Sequence, residues 1–592
     1  MITPSEPVYQ FIQETGGYPL TTNQHMDIPD QYKRDAGYMN YSRGNVFATE
    51  KLIRAKGYVN MDFNYFLDLG GEHSLKAGIQ WVRQKEDVDD SGAYPVCFFA
   101  WDKDFIVGGV NYGRGDYGYY SIRGNDATGA YGSFYSPYSI RWAIYLQDSW
   151  TPEFLEGRLT LNFGVRTEKE YIPPYNDDPA FLAELEAQGL SINPIEFEFK
   201  NKLAPRVGFV YDVFGDATTK VFGSFGWYFD VFKLYMAANA YGGFKWRSAY
   251  YELNIYEWDT IAKDNYYPGA SLGPGVIDWR HPSYESTDPD LKPMSQQELS
   301  FGVERKLTEY LAASVRLVQK HLRYAIEDVG VFVAGVGEEY YTTNPGYGYS
   351  AHVGDGTGKF DPSYPICPKA KREYWAVNFT LDKRYGDNWL GGFSYTWSRL
   401  TGNYSGLASS DEWGRTSPNV ERYFDLWHLA YDKDLNPQDG VLATDRTHVF
   451  KFYGSYVFPW GLTLGTVVNG MSGTPISEEW TVEANGYLPF NRGSMGWTQF
   501  LWFVNAYVEY NFNLFDRYKL QLSLNIDNMF NLATSRRTWS RLTQGRVDVS
   551  QEELLAGDWE LTAARYTPDP RFGQLMEFQP PLSARIGIKF IF

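Results

Sequence analysis

Pro581-Leu582-Ser583-Ala584-Arg585-Ile586-Gly587-Ile588-Lys589-Phe590-Ile591-Phe592 closes the chain. Leu582, Ala584, Ile586, Ile588, Phe590 and Phe592 fall on one face of a strand, and Ser583, Arg585, Gly587 and Lys589 on the other. Period-two alternation of this kind marks a strand with one apolar and one polar side. Chain ends are normally polar and frayed, yet this one stops on an aromatic ring. In water such a strand would be an adhesive edge. In a membrane it can close a barrel. An edge strand of a soluble β-sandwich is the competing reading, and the rest of the chain decides between them.

The same pattern recurs upstream in pairs. Val59, Met61, Phe63, Tyr65 and Leu67 turn at Leu69-Gly70-Gly71 into Leu75, Ala77, Ile79 and Trp81. Trp142, Ile144 and Leu146 turn near Pro152 into Leu159, Leu161, Phe163 and Val165. Further hairpins follow at Gly215-Asp216, Thr308-Glu309, Gly386-Asp387, Pro459–Gly461 and Phe515-Asp516. Connections alternate between these tight turns and long segments such as 86–138, 231–293 and 402–444. Outer-membrane barrels connect strands in this way, with short periplasmic turns and long extracellular loops. The apolar faces are nearly free of charge, as lipid requires. A Lys or Arg at the midplane of a lipid face costs roughly 2–4 kcal/mol. The fold class expected is therefore all-β, a transmembrane antiparallel β-barrel with about 15 strands in this chain. Residues 1–54 read as an irregular extracellular segment and 55–592 as the barrel region with its loops. Two short helices are expected in the loops, one over Asp178–Gln188 and one beginning at the capping box Ser550-Gln551-Glu552-Glu553.

Composition agrees. Mean hydropathy is -0.43, and no apolar run reaches the ~18 residues of a membrane-spanning helix. Aromatic residues make up 18% of the 592 positions, a supply suited to girdles at both membrane interfaces. A net charge of -18 argues against nucleic acid as a partner, because phosphate binding needs basic patches. Cys97 and Cys367 each follow a Tyr-Pro-aliphatic triplet in segments read as loops. They form a disulfide in an oxidising compartment, or they are two unpaired loop thiols. The first residues, MITPSEPVYQ, lack the basic and apolar regions of a secretory signal. Counting back from Phe592 puts the start of the first strand on the long-loop side. Barrel strands are then expected upstream of Met1.

Several segments resemble the TonB-dependent outer-membrane receptors, and their Oar-like branch in particular. They are Tyr145–Trp150 with Leu159–Arg166, Leu203–Gly208, Leu291-Lys292-Pro293, Asp445-Arg446-Thr447-His448, Ser472-Gly473-Thr474-Pro475 and Asn528-Met529-Phe530-Asn531. Each motif is weak alone; their order and spacing over 55–592 carry the likeness. The resemblance implies a barrel of about 22 strands with a plugged lumen, of which this chain supplies the C-terminal part. It also implies a plug that contacts the TonB complex, and barrel assembly machinery that engages the C-terminal strand. The location implied is the outer membrane of a Gram-negative-type bacterium, with its lipid around the wall.

Catalysis finds little support. The seven histidines are scattered, without an HExxH or a GxSxG elbow. Gly113–Gly118 matches GxGxxG but lies in a Gly/Tyr-rich segment with no strand before it or helix after it. Gly354–Lys359 has the wrong spacing for a phosphate loop. No cofactor and no resident metal is expected; Asp87, Asp89, Asp90, Asp411 and Glu412 read as solvated surface acids before they read as Ca²⁺ ligands. The candidate ligand residues are loop aromatics: Trp101, Tyr112, Tyr117, Tyr119, Tyr120, Tyr131, Tyr135, Tyr241, Trp246 and Tyr250. Aromatic faces suit sugar rings or peptides. Packing of the loops onto each other is the other use for them. The function expected is receptor and transporter of a scarce or large solute, with adhesion or export as the alternative.

Overall fold

A computed structural model describes residues 7–11, 22–35, 37–40, 51–91, 95–107, 109–124, 132–175, 193–241, 247–278, 286–333, 337–351, 361–406, 424, 427–482, 485–514, 517–557 and 559–592, with 179, 182, 183 and 186. Fifteen strands form one antiparallel meander curved into a barrel wall. In chain order they are β1 (Lys51–Asp68), β2 (Gly71–Ser91), β3 (Tyr138–Pro152), β4 (Leu159–Ile172), β5 (Ala204–Asp212), β6 (Thr219–Phe229), β7 (Ser295–Lys306) and β8 (Leu311–Tyr324). They continue as β9 (Arg372–Gly386), β10 (Trp389–Gly402), β11 (His448–Val457), β12 (Leu462–Met471), β13 (Leu501–Leu514), β14 (Tyr518–Asp527) and β15 (Ser583–Ile591). Each pairs with the next, from Lys51↔Asp89 between β1 and β2 to Lys519↔Ile591 between β14 and β15.

The turns come where the sequence places them. The β1–β2 hairpin holds unbroken register down to Asp68↔Glu72, around Leu69-Gly70. Gly71 has φ +127°, and a Cβ there would lie 2.2 Å from the Thr151 carbonyl oxygen, so a side chain is excluded where this turn touches the next strand. A tilted strand needs about 9–11 residues to cross a bilayer. β15 has 9 and β2 has 21, so the long strands rise beyond the membrane and carry the loops.

The lipid-facing residues are the exposed apolar ones. Met61, Phe63, Ile586 and Ile588 are each more than half exposed, and Phe592 is 90% exposed. Exposed aromatics gather near both ends of the wall: Tyr385, Trp389 and Trp460 by the short turns, Trp142, Trp375 and Trp502 toward the loops. This is the two-belt distribution of an outer-membrane barrel. The hydrophobic clusters of buried residues lie at the loop end instead, around Trp427 and Trp480, around Phe99 and Trp258, and around Phe232 and Tyr241.

Among the described residues, β1 pairs only with β2, and β15 only with β14. Every residue of β1 is exposed.

Two expectations need correction. The first strand begins at Lys51, not at 55. The segment before it is not wholly irregular: Val8–Phe11 forms a buried strand parallel to Val96–Trp101. Its four residues are too few for their alternation to register. The helix expected from the capping box is present as Gln551–Ala556, with both reciprocal Ser550–Glu553 bonds. The helix expected over 178–188 falls mostly outside the described residues.

Leu522 faces lipid between Tyr510 and Ile588, while its neighbour Gln521 faces inward. Leu522→Lys is expected to cost about 2–4 kcal/mol of barrel stability and Gln521→Lys far less. Heat-modifiable migration of the two variants on gels checks the difference.

Candidate functional site

The sequence motifs sit where strands hand over to loops. Asp445, 1% exposed, accepts from the Leu400 amide at 2.6 Å and the Thr447 hydroxyl at 3.1 Å, which ties the top of β10 to the start of β11. Asn528 accepts from the Leu532 amide at 3.0 Å and donates to the Leu532 and Pro580 carbonyls at 2.9 and 2.8 Å. Asn531 accepts from the Leu582 amide at 3.0 Å, so this motif pins the approach to the terminal strand. Behind Leu291-Lys292-Pro293, Asn344 accepts from the Lys292 amide at 2.7 Å and donates to the Lys292 carbonyl at 2.9 Å.

Above these ties the two largest clusters of the described loop residues are aromatic cores. The first is a five-stranded sheet of Val8–Phe11, Val96–Trp101, Gly118–Gly124, Arg247–Glu252 and Ser271–Asp278. Its buried face packs Tyr9, Phe11, Cys97, Phe99, Trp101, Tyr120, Ile122 and Trp258. Phe11 stacks on Trp101 at 6.0 Å, and Tyr9 meets Trp258 edge-on at 5.3 Å. On the opposite face Phe105 stacks on Tyr250 at 3.9 Å, with Tyr112 and Tyr119 beside it.

The candidate ligand residues therefore do not form one site. Tyr119 and Tyr120 are neighbours in a strand and point to opposite faces. Trp101, Tyr120, Tyr241 and Tyr250 are buried and spend their rings on other side chains. Tyr241 caps strand ends, donating to the Ile172 carbonyl at 2.9 Å and accepting from the Ile195 amide at 2.8 Å. Tyr135 lies opposite Val88 at the top of β2. Tyr112, Tyr117 and Tyr119 keep partly exposed rings. Burial and the Asp27 carboxylate, 3.3 Å from its hydroxyl, push Tyr117 above the usual phenol range. Tyr131 and Trp246 lie outside the described residues, as do Gly354–Lys359, Asp411 and Glu412. Asp87 pairs with Lys85 at 2.6 Å.

The second core gathers Val329, Val331, Tyr404, Trp427, Trp480, Tyr487 and Trp559 from loops between β8 and β15. Cys367 packs here and Cys97 packs in the first sheet. Both are free thiols, so the disulfide left open by the sequence is not made. Their similar local settings do not bring them together, because Cys97 enters one core and Cys367 another. Burial pushes the Cys367 thiol up to about 12. His428, 3% exposed, has no hydrogen-bond partner at either ring nitrogen among the described residues. Burial, helped by the charge of Arg546, depresses it to about 4.

Lys202 and Glu170, both essentially buried, form an ion pair at the top of β4. Lys202 also donates to the Asp230 carbonyl at 3.0 Å and lies over the Phe197 ring. Glu170 accepts from the Phe232 amide at 3.1 Å. One ion pair thus joins the loops that follow β4 and β6. Sequence spacing gave no sign of it, since the partners stand 32 residues apart.

Inside, the wall is polar. Two cavities of about 560 and 370 Å³ share the Lys220–Glu304 pair, 3.0 Å apart. Gln147, Asn162, Arg206 and Ser224 line the first; Lys306, Ser314, Asp382 and Arg384 line the second. Among the described residues no group of three His, Cys, Asp or Glu side chains could hold a metal ion. Gly113–Gly118 forms a reverse turn, with the Gly115 and Gly118 backbones bonded to each other.

Residues 18–486 match the family model described as an outer membrane beta barrel domain. The chain belongs to that family. This barrel stands in the outer membrane of a Gram-negative-type bacterium, with lipid around its wall. It is similar to the TonB-dependent transporter Oar of Myxococcus xanthus, 25% identical over 587 residues that cover 90% of this chain and 50% of Oar. The Oar-like likeness carried by the motifs is thus the relationship found. Among solved structures the barrel resembles the outer membrane transporter YddB of Escherichia coli (TM-score 0.48, 11% identity, 90% of this chain and 55% of YddB). It also resembles the ferric-catecholate import receptor Fiu of E. coli K12 (TM-score 0.43, 11% identity, 91% and 55%). The chain spans about half the length of the curated relative it matches.

Two outcomes follow for the loop cores of the barrel. Lys202→Met leaves Glu170 as an uncompensated buried charge and is expected to cost about 3–5 kcal/mol. Adding Glu170→Leu is expected to restore most of that, as read from thermal unfolding of the single and double variants. His428 is neutral when folded and takes up a proton more readily when unfolded. The second core is therefore expected to lose roughly 3 kcal/mol as pH falls from about 6.5 to about 4. Hydrogen exchange across 427–430 and 480–482 should show this loss, and His428→Phe should remove it.

Proposed function

We propose that the chain is the solute-admitting wall of a TonB-dependent transporter, with the folded loops as its outer recognition surface. The observation that carries this reading is the juxtaposition of two ordered aromatic loop cores with a polar lumen. The kinship to Oar supports it. Import would draw on the inner membrane through the TonB complex, which a plug within the lumen would contact. Among the described residues the outer edges of β1 and β15 have no partner strand, and lipid leaves no water for such amides. The exposed terminal strand ending in Phe592 is the segment we assign to the barrel assembly machinery.

Tyr112, Tyr117 and Tyr119 are the candidate ligand-facing rings. Aromatic faces beside Asp27 and Arg114 suit glycans or peptides. Adhesion or export through the same loops is the second reading, favoured by how much of the chain is invested in the loop cores.

Cells with and without the protein, and with and without TonB, are to be offered labelled oligosaccharides and peptides. Accumulation of one class is expected to require both proteins, and Tyr112→Ala with Tyr117→Ala to weaken its surface binding on the order of tenfold. Binding that needs the protein, with no accumulation and no effect of TonB, would establish adhesion instead.

A further inference from the structure

The short-turn rim carries a chain of cations laid over aromatic rings. Arg158 lies 5.3 Å from the centre of the Tyr211 ring, in the next hairpin, and donates to the Tyr211 hydroxyl and to the Asp212 and Val213 carbonyls. Arg305, at the end of β7, lies 5.8 Å from Phe214 of the preceding turn. Lys383, at the end of β9, sits 5.4 Å from Tyr310 of the turn before it and 4.2 Å from Trp389 of its own. Arg517 lies 5.6 Å from Tyr518 in the last turn. Tyr310, Phe214 and Trp389 are all more than a third exposed and belong to the lipid-facing side.

None of these four cations makes an ion pair among the described residues. Asp216 is close enough to Arg305 to interact with its charge, but does not pair with it. The chain has 72 acidic side chains to 54 basic ones, so carboxylates are not scarce. Along the inner wall they are used: Lys220 meets Glu304 at 3.0 Å and Lys320 meets Glu298 at 3.1 Å. Cations at the edge of a hydrocarbon layer are costly without a counter-charge. Long basic side chains reach from an apolar stem to the headgroup level. At that depth the available counter-charge is a phosphodiester.

We propose that this rim is a collar for the phosphate groups of anionic glycerophospholipids in the leaflet it faces, with Arg305 and Arg517 as the principal contacts. The rings fix the height of each cation and leave its outer side open to lipid. Arg158 and Lys383 already donate to turn carbonyls, and so set the field more than they bind.

The test uses the protein purified from outer membranes and reconstituted in nanodiscs of phosphatidylglycerol or of phosphatidylcholine. Wild type is expected to retain phosphatidylglycerol in preference to phosphatidylcholine, by mass spectrometry, and to melt higher in it. R305Q/R517Q is expected to lose that preference, on the order of fivefold per cation removed, while R305K/R517K keeps it. High salt should weaken retention by wild type only in part, because the cations are shielded by their rings and by lipid. Equal retention of both lipids by wild type, or an undiminished preference in R305Q/R517Q, would overturn the proposal. Equal loss of melting temperature in both lipids would reduce the collar to a stitch between turns. Failure of wild type to insert in either nanodisc would count instead against the membrane reading on which the proposal rests.

Discussion

Hydrocarbon offers the backbone no hydrogen-bonding partner. Every amide and carbonyl that crosses it must be met by another strand. That constraint explains why the chain is one uninterrupted antiparallel ladder from Lys51 to Ile591, and why its connections alternate in length. A turn on the short side has only to reverse the chain, so Leu69-Gly70 suffices. A connection on the long side is free of the ladder and can fold by ordinary aqueous rules.

The protein accordingly has two solvents and two kinds of core. Within the wall, apolar side chains face outward and stay exposed, as Ile586 and Ile588 do. Above the wall they turn inward, as Phe99, Trp258 and Trp480 do. A strand such as β2 obeys both regimes along its 21 residues. Its lower part presents Ile79 to lipid, and its upper part places Val88 against Tyr135. The polar ties at the strand tops, Asp445 and Asn528, mark the change of medium. There the backbone leaves the ladder and needs a side chain to satisfy it.

The wall was legible in the sequence because its order is local. Alternation names the face of each residue, and the glycine and aspartate turns set register, so the fifteen strands and their tight turns needed no distant information. The loops were not legible for the opposite reason. The Tyr9 hydroxyl reaches the Asp259 and Ile261 carbonyls across 250 and 252 residues, and no short window contains such a contact. The fold divides the aromatics that the sequence groups between 101 and 120. Strand pleating sends Tyr119 and Tyr120 to opposite faces, and burial removes Trp101 from solvent. The cysteines repeat the lesson, since like neighbours in sequence enter unlike cores. The capping box at Ser550 was legible because its two bonds span three residues.

What the aromatic residues do limits what can recognise a solute. At 18% of the chain they look abundant, but most have prior duties. Trp389 and Trp460 belong to the lower belt, Trp375 and Trp502 to the upper one, and Phe11, Trp101, Trp427 and Trp559 to the loop cores. The rings left partly exposed are few, and they are divided: Tyr117 packs against the Phe99 and Trp258 core, whereas Tyr112 and Tyr119 pack beside Phe105. Such rings are held in place before a ligand arrives, so little ordering cost falls on binding. Selectivity would then come from the spacing of Tyr112, Tyr117 and Tyr119 and the charges beside them, Asp27, Asp102 and Arg114, rather than from aromatic area as such. Arg114 already lies 3.6 Å from Asp102, so an anionic solute would have to compete with a carboxylate for it. A neutral glycan or peptide would not compete with that carboxylate.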